Sequence, residues 1–380
     1  MTYGRVRLWL GIAGVGSLVT ITAIALILGL PQYLFESKPV LGPGELLQLA
    51  AVTGLFMLLL TPLDFLGGYV LPRKFDKSDV SFGEWLRQYI LAAVTQALLF
   101  VFFGAKIIVL SQIYGVLGGL IAICLFMIAC FVVRNRLILR READSDTAAE
   151  KLLDAIAMIQ SWQIYVPRTV VVEHKDIGFT GGVTGLGKNA RIVIPKAWLS
   201  FTTEELATAI ARRAFAVGSG SYMWGLVFAF TWNLAGFFVC SFLPGAGLAS
   251  VAGLMTTVCG FTLWSFLGLL TLPTVSRNAS LKIDQALVLQ GMPLALITNT
   301  ASSMDQLQDD EPKRPRLVET IFHPVPSVHG RNCNKPVTGI AAWNVARTTL
   351  FFSWACLGFL SRSVHCNVGR PELWTMLPTD

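Results

Sequence analysis

Thr202-Thr-Glu-Glu-Leu-Ala-Thr-Ala-Ile-Ala-Arg-Arg-Ala-Phe-Ala-Val217 opens on a capping box. The Thr202 hydroxyl is placed to accept from the first free N–H groups of a helix, and Glu205 to reach back to the cap. Leu206, Ile210 and Val217 then fall at helical spacing. Working upstream, Arg191-Ile-Val-Ile194 reads as a strand stopped by Pro195, and Gly178-Phe-Thr-Gly-Gly-Val-Thr-Gly-Leu-Gly187 as a turn-rich loop. Arg168-Thr-Val-Val-Val-Glu173 reads as an earlier strand. A second capping box, Thr147-Ala-Ala-Glu150, starts a helix with Leu152, Leu153, Ile156 and Ile159 at helical spacing. Gly185-Leu-Gly-Lys188 lacks the GxxxxGK[ST] pattern and runs into a strand, so it predicts a hairpin turn and not a phosphate loop. Downstream, Gly218-Ser-Gly-Ser221 is a flexible exit into long apolar runs. The order is helix, strand, glycine turn, strand, helix, membrane hairpin.

The apolar runs set the rest. The chain has 380 residues, a net charge of +7, 54% hydrophobic residues and only 14% charged ones, against about 25% charged in an average soluble domain. This excludes a disordered chain, a nucleic-acid-binding domain and a disulfide-stapled secreted module. A membrane helix needs about 20 mostly apolar residues. Leu8–Leu30, Leu46–Leu71, Trp85–Leu110, Gln112–Val133, Tyr222–Leu243 and Gly247–Leu272 qualify, and Thr338–Leu360 is a seventh, interrupted by Arg347. The predicted fold class is therefore mainly α: a polytopic membrane protein of six or seven spans with an α+β subdomain. Its regions are a four-span part (residues 1–133), a first polar segment (134–221), a transmembrane hairpin (222–272), a second polar segment (273–337) and a C-terminal span with tail (338–380).

Lys and Arg in the loops orient it. Arg5, Arg7, Arg73, Lys74, Lys77, Arg134, Arg136, Arg140 and Arg141 share one side, while Lys38 stands on the other with Lys106 near it. The N-terminus and both polar segments are expected in the cytoplasm, with the chain in a bacterial inner (plasma) membrane. The first span is too long for a signal peptide and has no small-residue cleavage site, so it reads as a retained anchor. Of seven cysteines, Cys124, Cys130, Cys240, Cys259 and Cys356 lie in apolar spans as small hydrophobes, and Cys333 and Cys366 are isolated. No CxxC pair and no GxSxG elbow occurs. His323, His329 and Cys333, and the pair His365-Cys366, lack a recognised ligand spacing and read as surface or capping residues.

Val183-Thr-Gly-Leu-Gly-Lys-Asn-Ala-Arg-Ile-Val-Ile194, followed by Leu199 and Glu205-Leu206, resembles the membrane-embedded zinc metallopeptidases typified by HtpX and the CAAX prenyl endopeptidases. In that family a hairpin carrying TGLGK…RIV precedes a helix beginning ELxAVLAHELGH. Ser276-Arg-Asn-Ala-Ser-Leu-Lys-Ile-Asp-Gln-Ala286 is similar to the family's later SRxxExxADxxA helix, and His323-Pro-Val-Pro-Ser-Val-His-Gly-Arg331 resembles its HPP…R segment. The similarity covers about Lys151–Arg331, with all three blocks in order. It implies a gluzincin-like subdomain. In the family, two His of HExxH share a helix face and bind zinc, their Glu activates the water, and a Glu of the later helix completes the site.

This sequence departs from the pattern where the chemistry lies. In register, Arg212 replaces the first His, Arg213 the general base, Ala216 the second His and Ser280 the third ligand; Asp284 matches an acid the family keeps behind its ligands. A guanidinium stays protonated and cannot ligate zinc. The four histidines, His174, His323, His329 and His365, contain no HxxxH pair, so no shift of register restores the motif. The expectation is no zinc, no other cofactor and no catalytic residues.

The reading is a catalytically inactive, metallopeptidase-like scaffold, assembly or regulatory subunit. Its partners would be other integral membrane proteins and the lipid bilayer, not nucleic acid. The alternative is an active membrane-bound endopeptidase of quality control with an unrecognised metal site. A transporter is disfavoured by few intramembrane charges and no inverted repeat. Two charge pairs are expected. Asp284 should bond Arg212 or Arg213, since unpaired buried guanidiniums are costly. Asp64 and Arg347 fall at similar depth and should pair, while Lys106 snorkels outward; the competing reading gives Asp64 to Arg87 or water at the boundary.

Overall fold

A computed structural model of the chain describes residues 2–35, 40–139, 146–174, 178–308, 310–331, 337–371 and 374; Lys38, Arg140, Arg141 and Cys333 lie outside these. Helix α1 (Tyr3–Ile27) starts at Thr2, whose hydroxyl accepts from the Arg5 amide. A bend at Gly29 leads to the short α2 (Leu30–Leu34). Helix α3 (Pro43–Phe65) has proline at its first position, where the missing N–H costs nothing. It passes through a π-helical turn, Leu66–Val70, into α4 (Leu71–Lys74).

Helix α5 (Phe82–Leu139) has 58 residues. Straight, it would run about 87 Å, nearly three times the hydrocarbon thickness. It instead reverses at Gly115, whose φ of 64° only glycine adopts without strain. Phe103 stacks on Phe126 at 4.2 Å between centroids, pairing the two halves as a hairpin. Among the described residues, with α8 (Ser221–Cys240) and α9 (Val251–Leu289), five helices are long and apolar enough to cross a membrane. The reversal in α5 makes six passages. Their outer faces are apolar and exposed, as at Leu47, Leu58 and Leu98 (71, 69 and 67% exposed), a surface suited to lipid and not to water. The protein is a multi-pass membrane protein.

The polar region lies at one end of this bundle. Helix α6 (Asp146–Ser161) precedes β1 (Thr169–Val172), β2 (Gly182–Thr184) and β3 (Arg191–Pro195), and α7 (Thr203–Gly218) follows. The sheet order is β1-β3-β2, with β1 parallel and β2 antiparallel to β3. Residue pattern shows β1 and β3 in the sequence; the edge strand β2 hides in the glycine-rich stretch. Gly181 passes so close to β3 that a Cβ would lie 2.1 Å from the Val193 carbonyl oxygen, which is why the loop is built of glycine there. Helices α8 and α9, then α10 (Leu294–Gln308), α11 (Arg316–Phe322) and α12 (Val328–Arg331) complete the middle of the chain.

Contacts sort the loops into two ends. Arg5 bonds Glu311 at 3.1 Å, Lys77 donates to the Gln306 carbonyl at 3.3 Å, and Ile138 joins Val170, Val172, Phe179 and Val193 in one apolar cluster. Tyr222 donates to the Gly185 carbonyl at 3.1 Å. The opposite end joins Gln32 to Gly245 and Gln112 to Ala249. The basic residues at Arg5, Arg73, Lys74 and Lys77 thus sit at the end that carries the sheet.

The segment expected as a seventh span, Thr338–Leu360, does not cross. Its one helix of any length, α13 (Val345–Phe352), has eight residues, about 12 Å. A turn of 3-10 helix follows at Ser353–Cys356, and Leu357 takes a left-handed conformation (φ 56°) that ends it. The chain then turns back through α14 (Leu360–Ser363). Such irregular backbone is tolerated at membrane depth only inside protein, and this stretch is buried: Asn233 of α8 donates to the Thr349 carbonyl at 3.1 Å, and Phe359 stacks on Phe56 at 4.4 Å.

The turn-back decides the partner of Asp64. Arg347 does not reach it. Arg362 does, donating to Asp64 Oδ2 from Nε and Nη2 at 2.9 and 2.7 Å, while the Gly369 amide donates to Oδ1 at 2.7 Å. Arg362 also donates to Tyr89 and Gln96 and lies 4.0 Å from the Trp374 ring centroid. A bidentate, fully hydrogen-bonded pair is the form in which charge survives burial. The expected Asp64–Arg347 pair is therefore corrected to Asp64–Arg362. Lys106 is exposed over the Phe102 ring, near the reversal of α5.

Removing Asp64 strands a buried guanidinium, which typically costs about 3–5 kcal/mol. Asp64→Asn is expected to lower the unfolding free energy in mild detergent by that order, and to combine less than additively with Arg362→Gln. Its effect should simply add to that of Arg347→Gln; coupling with Arg347 in the same double-variant cycle would contradict the assignment.

Candidate functional site

The capping box that opens the sequence reading forms: the Thr202 hydroxyl accepts from the Glu205 amide at 3.2 Å, and Glu205 Oε2 accepts from the Thr202 amide at 3.0 Å. It fixes the phase of α7, and the phase divides the adjacent arginines. Arg213 turns toward the sheet, where Nη2 donates to the Thr180 carbonyl at 2.7 Å and the guanidinium lies 4.6 Å from the Trp198 ring centroid. Arg212, one position earlier, turns toward α9.

Helix α9 outlasts the membrane. Its 39 residues span about 58 Å, roughly twice the hydrocarbon core. The surplus carries Ser276, Ser280 and Asp284 out beside α7. Asp284 Oδ1 accepts from Arg212 Nε at 2.7 Å, and Oδ2 accepts from Arg331 Nη1, contributed by α12. All three residues are buried, at 5, 8 and 6% exposure for Asp284, Arg212 and Arg331. One carboxylate bridges two guanidiniums and ties α7, α9 and α12 together. Ala216 and Ser280 are buried near it on the same helices.

Of the residues singled out in sequence, Arg212, Ala216, Ser280 and Asp284 thus belong to the packed region between α7 and α9, while Arg213 belongs to the sheet side. Arg331 was missed as the second partner, although it ends the HPP…R-like block. The structure also brings His323 and His365 together, with ring centroids 5.1 Å apart. Sequence separation hid that pair, since His365 reaches it only through the turn-back of the C-terminal segment.

A cleft opens beside this cluster. Six arginines line it, Arg7, Arg212, Arg314, Arg331, Arg347 and Arg370, and Asp305 is the single carboxylate among its described lining residues. Arg314 bonds Asp305 at 3.0 Å. Arg7 donates to the carbonyls of Gly67, His365 and Val368 at 2.7–3.1 Å, which holds the C-terminal segment in place as one wall.

Zinc does not fit these residues. The positions offer two guanidiniums, a methyl group and a hydroxyl, and both oxygens of Asp284 are already taken by arginine. Guanidinium has no lone pair to give a metal and repels a dication. Among the described residues no group of three His, Cys, Asp or Glu could hold a metal ion.

The sequence matches no family model and no curated protein. The fold does have a relative among solved structures. The crystal structure of S. mikatae Ste24p superposes with a TM-score of 0.62, covering 83% of this chain and 79% of that one at 12% sequence identity. At that identity the likeness is one of fold.

Truncation of Asp284 would leave two guanidiniums facing each other in a buried space. Asp284→Ala is expected to destabilise the protein by about 3–5 kcal/mol. Apolar residues at all three positions, Arg212→Met, Asp284→Leu and Arg331→Met together, should recover most of the loss, because a fully removed ion cluster leaves no charge stranded. Denaturation of purified protein in mild detergent reads both.

Proposed function

We propose that the chain is a membrane metallopeptidase-type protein that has lost peptidase chemistry and acts as a scaffold, an assembly or regulatory subunit for other integral membrane proteins. The single observation that carries the reading is the Arg212–Asp284–Arg331 cluster standing where a zinc peptidase needs His and Glu. The Ste24p-like fold supports the metallopeptidase-type architecture.

The chemistry follows from the side chains. Peptide hydrolysis on this architecture needs a polarised water and a base to take its proton. Arg213 stands at the position of the base and has no lone pair with which to take a proton. Its guanidinium is committed to the Thr180 carbonyl and the Trp198 face. What remains is a rigid groove between helices and a small sheet. The groove is held by ion pairs instead of a metal, and it presents surface without cutting. The basic residues Arg5, Arg73, Lys74 and Lys77 at the sheet-bearing end support a cytoplasmic orientation of that end by the positive-inside rule, and the reading takes the membrane to be a bacterial inner one.

Elemental analysis of protein purified in mild detergent is expected to find no stoichiometric zinc, and peptidase assays no cleavage. Ala216→His alone should change neither, because one ligand does not make a site. A peptidase activity of the pure chain that a chelator abolishes would overturn the proposal.

A further inference from the structure

The arginine-lined cleft does not end at its polar walls. A second cavity, about 220 Å³, adjoins it inside the membrane part and is almost wholly apolar. The two share Pro324, Arg347, His365 and Cys366. On one side the slot follows Leu8, Gly11, Ile12, Val15 and Gly16, a single face of α1. On the other it follows Phe266, Leu269 and Pro273 of α9. From Arg7 to Gly16 is nine positions along α1, about 13 Å into the bilayer from the cleft. Gly16 and Leu270 are exposed on the outside of the bundle, so the slot opens sideways, toward lipid.

Arg347 stands at the junction. It is half-buried, its Nε is shielded from solvent, and it has no hydrogen-bond or ion-pair partner among the described residues. The structure therefore presents a guanidinium in need of an anion, at the mouth of an apolar slot, one helical face away from lipid. We propose that this composite site binds an anionic phospholipid, with the phosphate at Arg347 in the cleft and an acyl chain along α1 and α9 in the slot. Basic pockets between membrane helices on one leaflet recognise such headgroups. A zwitterionic choline lipid fits less well, because its cation would enter a cleft lined by arginines. Free phosphate satisfies Arg347 and leaves the slot empty. The phosphate position at Arg347 shares its cleft with Arg212 and Arg331, but the apolar slot does not touch the Arg212–Asp284–Arg331 cluster, and lipid binding stands whether or not the chain cleaves peptides.

The test uses the full chain, delipidated in mild detergent. Thermal unfolding and native mass spectrometry follow the addition of dioleoyl phosphatidylglycerol, dioleoyl phosphatidylcholine, inorganic phosphate or an S-farnesyl-cysteine peptide. Phosphatidylglycerol is expected to raise the melting temperature and remain bound, with phosphatidylcholine and inorganic phosphate doing neither. Arg347→Gln should weaken the lipid about fivefold, with Arg347→Lys restoring most of it. A Cβ at Gly16 meets nothing within 4 Å, so Gly16→Phe is expected to fold, as gel filtration and circular dichroism will show, and to lose the lipid. Equal stabilisation by phosphatidylcholine overturns the proposal, as does indifference to Arg347→Gln. Protection by inorganic phosphate alone would show an anion site without a lipid. Protection by the farnesyl peptide with none by phosphatidylglycerol would show a different class of ligand; either result rejects the assignment.

Discussion

The Asp64–Arg362 pair is the interaction from which much of the membrane region is built. An isolated charge at that depth is expensive, and a bidentate pair completed by Tyr89, Gln96 and the Gly369 amide is not. The pair joins α3 to a segment nearly 300 residues away. To make it, the chain after α13 has to turn back at Leu357 and run inward, which leaves no room for a crossing helix. The same path lays Val364, His365 and Cys366 along α1, where Arg7 holds the His365 carbonyl at 2.8 and 3.1 Å. His365 and Cys366 then form walls of both the polar cleft and the apolar slot, and Val364 a wall of the slot alone. The cavities are a consequence of how one buried aspartate is neutralised.

A second buried carboxylate does similar work outside the membrane. Asp284 closes α9 onto α7 and α12 through two guanidiniums. Arg212 and Arg331 also border a cleft open to solvent, which screens their charge. Arg213, wholly buried on the sheet side of α7, donates to the Thr180 carbonyl and lies over the face of Trp198.

The small sheet positions α7 by close backbone approach. Gly181 and Gly185 sit where a Cβ would lie 2.1 and 2.2 Å from carbonyl oxygens of the neighbouring backbone. Glycine there allows β2 to lie flat on β3, and Val183, Ile192 and Ile194 to be fully buried beneath α7. A stretch that reads in sequence as a turn-rich loop is in the fold a packed strand and its turn.

What the sequence determined by itself was local. Six passages follow from the length and purity of the apolar runs, since a bilayer sets a minimum of about 20 residues. The N-terminal cap of α7 and the strands β1 and β3 follow from residue types within three or four positions of each other. The absence of any HxxxH pair is likewise a matter of which side chains are present. The tertiary structure decided everything that depended on the path of the chain. It chose Arg362 over Arg347 for Asp64, because depth along a span is not a partner until the direction of the next segment is known. It made Thr338–Leu360 re-entrant, because Asn344 and Leu357 adopt left-handed conformations that composition does not reveal. It put β1 parallel to β3 with β2 outside, and brought His323 beside His365. Periodicity encodes which face of an element is apolar; only packing states which other element, hundreds of residues away, will cover it.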